Sequence, residues 1–349
     1  MANKNKQIQM SQAYQIVVGI DVSKKTIDVA LLRTGNVKHV SFKTSNSEAG
    51  VKKLLQFLTS NHAETDEVLF CLEQTGLYSY ALVCNLHKHC KNIWVEMPYK
   101  ISRSSGLQRG KSDSVDALQI ARYALRHQDK AALWTPDDEE MLQLRDLIEL
   151  REKLSTSLSA MRVPIGEMKK MGLTQKAKNY TAACKKPMNA LTKSIAELEV
   201  KIDELILRNS KIQKQVELLS SIPGVGKITS LYFIAYTQGF NLFESSKKLA
   251  CYCGIAPFPH ESGTSVRGRA RVHHMANKKL KLMLHLTAMR IARMKKSIRD
   301  YYDAKVAQGK SRMSVLNAVR NKLLTRMFAV VKSGKMYQEN YEQNRLVFS

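Results

Sequence analysis

The chain has 349 residues, 44% of them hydrophobic, and its 56 Lys and Arg against 30 Asp and Glu leave a net charge of +26. Such a length predicts two or three packed domains, and such a charge points to a polyanionic partner, nucleic acid foremost. No run approaches the ~18 consecutive apolar residues of a membrane span, and the polar opening MANKNKQIQMSQAYQ has no secretion-signal core.

In chain order, IVVGIDV (16–22) and TIDVALL (26–32) are β-branched apolar runs that predict a hairpin across Ser-Lys-Lys. A third strand is expected within 37–43, a helix over 46–60, a buried strand at VLFCLE (68–73) and a helix over 78–88. NIWVE (92–96) predicts another strand and DSVDALQIARYALRH (113–127) a helix, so an α/β domain should end near Pro136. The texture then turns helical. Leu147, Leu150, Leu154, Met161, Ile165 and Met168 recur at helical spacing within 138–170. From Met188 to Leu219 apolar positions step by three and four as a heptad repeat, with Asn209 at an a position, where such a residue fixes register. This predicts a coiled coil over 137–219, either a hairpin with 138–170 or a dimer seam. The last region, 220–349, concentrates cations: Ser262–Arg326 holds 17 Lys or Arg against 2 acids. Cys71, Cys84, Cys90, Cys184, Cys251 and Cys253 form no C-x-x-C pair, so reduced thiols are expected and a zinc site is not.

Three groups of residues carry chemistry. Asp21 ends the first strand, Glu73 ends VLFCLE, and Asp113 and Asp116 share a helical face at i, i+3. Four hard oxygen donors converging on one cleft suit Mg²⁺; taken singly, each acid could equally be a turn or helix-capping residue. Arg109 and Lys111 beside them could neutralise these carboxylates or hold a phosphate. The second group, IPGVGK (222–227), places Gly224, Gly226 and Lys227 between two helices. Glycine there serves equally a helix–hairpin–helix-like phosphate contact or a tight turn needing positive φ. The third is PHESGTSVRGRARVHH (259–274), in which Arg267, Arg269 and Arg271 alternate and would line one face of a strand. With Lys278 and Lys279 beyond it, this stretch reads as a phosphate clamp; spacing does not select among Ser262, Thr264 and Ser265 as a nucleophile.

GIDVSKKTIDVAL, CLEQTGLYS and KSDSVDA, followed by SIPGVGKITS, LACYCGIAP and ESGTSVRG, resemble over nearly the whole chain the DEDD transposases of insertion sequence family 110 and the related Piv-type invertases. The resemblance implies a RuvC-like, RNase H-like α/β domain (1–136), a coiled-coil dimerisation region (137–219) and a mainly α-helical transposase domain (220–349). It implies that Asp21, Glu73, Asp113 and Asp116 bind Mg²⁺ or Mn²⁺, and that Ser262 forms a covalent phosphoserine link to DNA. Its implied partners are the DNA of element ends and target, a bridge RNA and further copies of the chain, as dimers assembling into a tetramer in the bacterial cytoplasm, nucleoid-associated when acting. Ala276 and His274 stand where many members carry glycine and lysine, which touches nucleic-acid contact more than chemistry. The expected function is thus transposition by cutting and rejoining DNA. A RuvC-type metal-dependent junction nuclease and a non-catalytic nucleic-acid scaffold are the alternatives.

Overall fold

A computed structural model describes residues 13–36, 38–105, 113–136, 138–262, 266–272, 275–294 and 297–338, with the backbone alone for 105, 258–262, 266–271 and 297. The chain divides into two compact units, one ending at Pro136 and the other running on from Asp137.

In the first unit the β-branched runs become β1 (Ile16–Val22) and β2 (Thr26–Arg33), an antiparallel hairpin. Ser23 closes its turn, donating from both its hydroxyl (2.8 Å) and its N–H (3.0 Å) to the Thr26 carbonyl. β3 (Val40–Ser45) joins β2 antiparallel, while β4 (Val68–Glu73) and β5 (Ile93–Glu96) extend the other side in parallel, giving the order β3-β2-β1-β4-β5. The helices between are α1 (Glu48–Ser60), capped by the Ser47 side chain, α2 (Leu77–His87), α3 (Pro98–Ser105) and α4 (Asp113–His127). The sequence pattern gave no sign of the short α3.

Alternation along the strands divides the apolar side chains between two faces. Val18, Ile20, Val29, Phe70 and Leu72 pack with α1 and α2 through Leu54, Leu58, Leu82 and Leu86. Val17, Leu69, Cys71 and Trp94 pack on the opposite face with Ile120, Tyr123 and Ala124 of α4. Gly19 is what lets α4 lie so close: a Cβ there would stand 2.3 Å from the Ala117 carbonyl oxygen and from the Ala121 amide nitrogen.

The second unit is helical apart from one hairpin. α5 (Glu139–Lys170) and α6 (Thr174–Arg208) run antiparallel about a turn in which Gly172 takes φ +76°. α7 (Ser210–Ser220), α8 (Lys227–Thr237) and α9 (Ser246–Tyr252) lead to β6 (Phe258–Ser262) and β7 (Val266–Arg271), and α10 (Lys278–Ile291), α11 (Ser297–Ala307) and α12 (Arg312–Ser333) complete the unit. Met141, Leu144 and Ile148 of α5 and Ile202, Leu205 and Ile206 of α6 share one core with Leu231, Phe233, Leu284, Leu323 and Met327. No break in packing therefore falls at 219/220.

Two helical expectations need correction. The heptads do not form one helix: Asn209, at φ −111° and ψ 101°, ends α6 and caps α7 by accepting from the Lys211 and Ile212 N–H groups. Its amide also donates to Glu140, so a residue read as a register-fixing a position is a helix break. The helix it ends starts at Thr174 and carries Pro187 inside it. On α5 the expected stripe is met in part, with Ile165 buried and Leu147 packed against the core. Met141, Leu144, Ile148, Leu158 and Ile165 are buried, and Leu150 is exposed. Among the described residues no helix is long and apolar enough to cross a membrane.

Candidate active site

The sheet register lines up one ionisable residue on every strand. Lys43 of β3 faces Asp28 of β2, which faces Asp21 of β1. On the other side Glu73 of β4 faces Glu96 of β5, and the parallel β1–β4 register reaches Ile20↔Leu72, so Asp21 and Glu73 come next. The row Lys43, Asp28, Asp21, Glu73, Glu96 thus crosses the sheet. α4 lies on the same face as these residues, because Gly19 and Cys71, two residues before Asp21 and Glu73, lie beneath it. Its first turn holds Asp113 and Asp116.

The electrostatics show that these carboxylates feel one another. Burial first, then Asp116 and Asp113, hold the Asp21 carboxyl above its ordinary value, against a lowering hydrogen bond from the Val22 backbone. Glu73 is raised by burial, then by Asp21 and Asp116. Asp21 thus feels Asp113 and Asp116, and Glu73 feels Asp21 and Asp116. Among the described residues, no three His, Cys, Asp or Glu side chains already stand together as a metal-ligating group.

Three members of the row escaped sequence reading. Asp28 is 8% exposed and accepts an ion pair from Lys43 at 2.9 Å. Lys43 also stands 3.7 Å from Asp113. Glu96, 6% exposed, is satisfied on three sides: the Met97 N–H donates at 2.8 Å, Lys100 Nζ at 3.1 Å and the Tyr123 hydroxyl at 3.2 Å. Burial, then Glu96, pushes the Tyr123 phenol well up, so it donates its proton in this bond. Tyr123 lies two helical turns beyond Asp116, so Glu96 ties the helix that delivers Asp116 to β5. The signal for Asp28 was present: a three-residue hairpin connection pairs Asp21 with it.

In the second unit, Ser262 is the last residue of β6, with its backbone opposite Val266, and Glu261 lies opposite Arg267. Gly263, Thr264 and Ser265 lie outside the described residues, as do Arg109, Lys111 and His274. A register shift between Phe258 and His260 interrupts the hairpin, with two β7 residues against one of β6.

The IPGVGK turn favours the conformational reading of Gly224. It takes φ +84°, and a Cβ there would stand 2.2 Å from Ile291 Cγ1. Gly226 caps α8 with open space around it. Two of the candidate phosphate-binding lysines are engaged with acids: Lys227 with Asp203 of α6, and Lys279 with Glu152 of α5. Lys278 is exposed on the first turn of α10, whose cap Asn277 is tied to Tyr252 by a backbone bond of 2.7 Å. Ala276 packs against Gly254 of LACYCGIAP, where a Cβ would stand 2.6 Å from the alanine methyl.

Two family models match the chain, the first of them crossing the boundary at Pro136. The DEDD transposase model of the IS110 type matches residues 18–165, and the transposase model of the IS116/IS110/IS902 family matches residues 216–303. The pilin gene-inverting proteins of Moraxella bovis and Moraxella lacunata are each 26% identical over 338 residues, 96% of this chain and the whole of theirs. An uncharacterized 42 kDa protein of insertion element IS900 from Mycobacterium paratuberculosis is 29% identical over 164 residues, 47% of this chain and 40% of its own.

Proposed function

Because the chain belongs to the IS116/IS110/IS902 family of transposases, enzymes that cleave DNA and transfer its strands, we propose that it does so with two centres, the acids Asp21, Glu73, Asp113 and Asp116 and the hydroxyl of Ser262. The observation that carries this reading is the convergence of the four acids at one end of the sheet, where two of them are held above their ordinary range partly by the others. Strand order β3-β2-β1-β4-β5 supports an RNase H-like domain.

Hard oxygen donors that repel one another are the chemistry a divalent cation relieves, so this donor set fits Mg²⁺ or Mn²⁺ held by the four acids. When bound, such an ion supplies Lewis-acid polarisation of a phosphoryl oxygen. The chain's own residues do the rest. Ser262 Oγ forms a bond to phosphorus as the bond from phosphorus to the departing strand's oxygen breaks. The serine gives up its proton and the departing hydroxyl takes one up. A strand hydroxyl attacking the phosphoserine reverses the exchange and rejoins DNA without an outside energy source.

The 38 Lys and Arg against 19 Asp and Glu from Asp137 onward support DNA binding and a guide RNA as second polyanion. The cations at Arg109, Lys111, Arg267, Arg269, Arg271 and Lys278 are the proposed contacts. Exposed Val163, Met171, Leu173 and Tyr180 on the α5–α6 hairpin support contact between copies in a dimer and tetramer.

The test is cleavage of labelled element-end DNA by Asp21→Asn and Ser262→Ala proteins. Loss in both supports the two-centre reading. Cleavage lost only in Asp21→Asn makes the protein a metal-dependent nuclease, and cleavage absent in the unaltered protein, with binding intact, makes it a scaffold.

A further inference from the structure

Lys43 stands at the open end of the acidic row. β3 is an edge strand, and the β2–β3 register sets Lys43 opposite Asp28. From there its Nζ reaches two elements at once, 2.9 Å from Asp28 Oδ2 on the sheet and 3.7 Å from Asp113 Oδ2 on α4. The two contacts differ in kind. Asp28 is an inner partner, with an 11% exposed side chain, bonded at hydrogen-bond distance. Asp113 is 62% exposed and Lys43 54% exposed, and their separation is beyond a hydrogen bond, so water screens that pair and it is readily exchanged. At the far end of the row Lys100 is committed to Glu96, so among the described residues Lys43 is the cation shared between the row and α4.

We propose that Lys43 is the built-in counter-cation of the acidic site: it holds Asp113 by charge while the metal is absent and yields it when a divalent ion arrives. This rests on the reading of Asp113 as a metal ligand. By pairing with Asp113, Lys43 competes with the incoming ion for that carboxylate, so it lowers metal affinity while keeping α4's first turn drawn toward the sheet. Loading then requires Asp113 to exchange one cation for another, and Lys43 stays anchored by Asp28.

The experiment titrates Mn²⁺ into the full-length protein at low salt and follows free Mn²⁺ by electron paramagnetic resonance. Lys43→Met is expected to tighten Mn²⁺ binding about three- to tenfold, and Lys43→Arg, which keeps the charge, to stay near the unaltered affinity. In an Asp113→Asn background the gain from Lys43→Met is expected to fall below about twofold, because the partner being released is gone. Unchanged or weaker binding in Lys43→Met, or an equal gain in the Asp113→Asn background, overturns the proposal while leaving the metal site standing. An Asp21→Asn protein that binds Mn²⁺ as the unaltered one does, or no binding at millimolar Mn²⁺ in either the unaltered or the Lys43→Met protein, overturns the metal reading and this inference with it. Lys43 lies exposed on an edge strand, and a thermal melt of each variant confirms that it is folded.

Discussion

The two units handle charge in opposite ways. In the first, burial and mutual repulsion lift the carboxyls of Asp21 and Glu73 above their ordinary range. In the second, burial works to raise Glu152, but hydrogen bonds from Lys279 and Tyr232 outweigh it and hold that carboxyl low. The Tyr236 hydroxyl also donates to Glu149, at 2.6 Å. Acids paired with donors knit α5 to α8 and α10, whereas in the first unit Asp21 and Glu73 are set against other acids. On the proposed reading, the contrast is between carboxylates that hold the fold and carboxylates that await a ligand.

The largest expected effect falls on activity. Glu73→Gln and Asp116→Asn should each lower strand cleavage by a factor on the order of 10³, yet raise the melting temperature of the metal-free protein by relieving repulsion. Glu152→Gln should do the reverse, sparing chemistry and costing about 1–2 kcal/mol of stability. Equal losses of cleavage in both units would erase the distinction.

Gly19→Ala comes next. Its methyl group meets the α4 backbone rather than a yielding side chain, so a loss of about 2–3 kcal/mol is expected, together with weaker metal binding as Asp113 and Asp116 are moved away. Denaturant unfolding and Mn²⁺ titration read the two effects separately. Glu96→Ala should cost about 1–3 kcal/mol by orphaning the Tyr123 hydroxyl, with Glu96→Gln recovering most of it.

The smallest effect is in pH. Asp21 and Glu73 have folded values above their unfolded ones, so their contribution to stability is full below the ordinary carboxylate value of about 4 and is lost as pH rises through the raised values. Glu152 has a lowered folded value, so its contribution is present above that range and is lost as pH falls. Both tryptophans, Trp94 and Trp134, lie before Pro136, so their fluorescence reports the first unit while far-ultraviolet circular dichroism follows the helices of the second. Metal-free melts between about pH 4 and pH 7 should show the fluorescence transition falling relative to the helical one as pH rises, and saturating Mg²⁺ should flatten that difference.

The first unit was largely readable before the structure because short β-branched runs and the 113–127 periodicity are local signals. Asp28 and Glu96 were not, because their place in the row depends on which strands pair and in what register. The second unit misled where spacing alone was used. Asn209 keeps the heptad interval, but its side chain is a good helix cap, and local capping won over the repeat. Lys227 and Lys279, read as phosphate contacts from cation density, also pair with Asp203 and Glu152, 24 and 127 residues away, which spacing in the sequence does not show.

The most direct measurement is to trap the covalent protein–DNA adduct on a labelled element end and map the linked peptide by mass spectrometry. The expected result is DNA joined to Ser262, with the adduct absent in Ser262→Ala and in Asp21→Asn proteins. An adduct that persists in Ser262→Ala, or that maps to Thr264 or Ser265, would contradict the assignment of Ser262 as the residue that works with the acidic row.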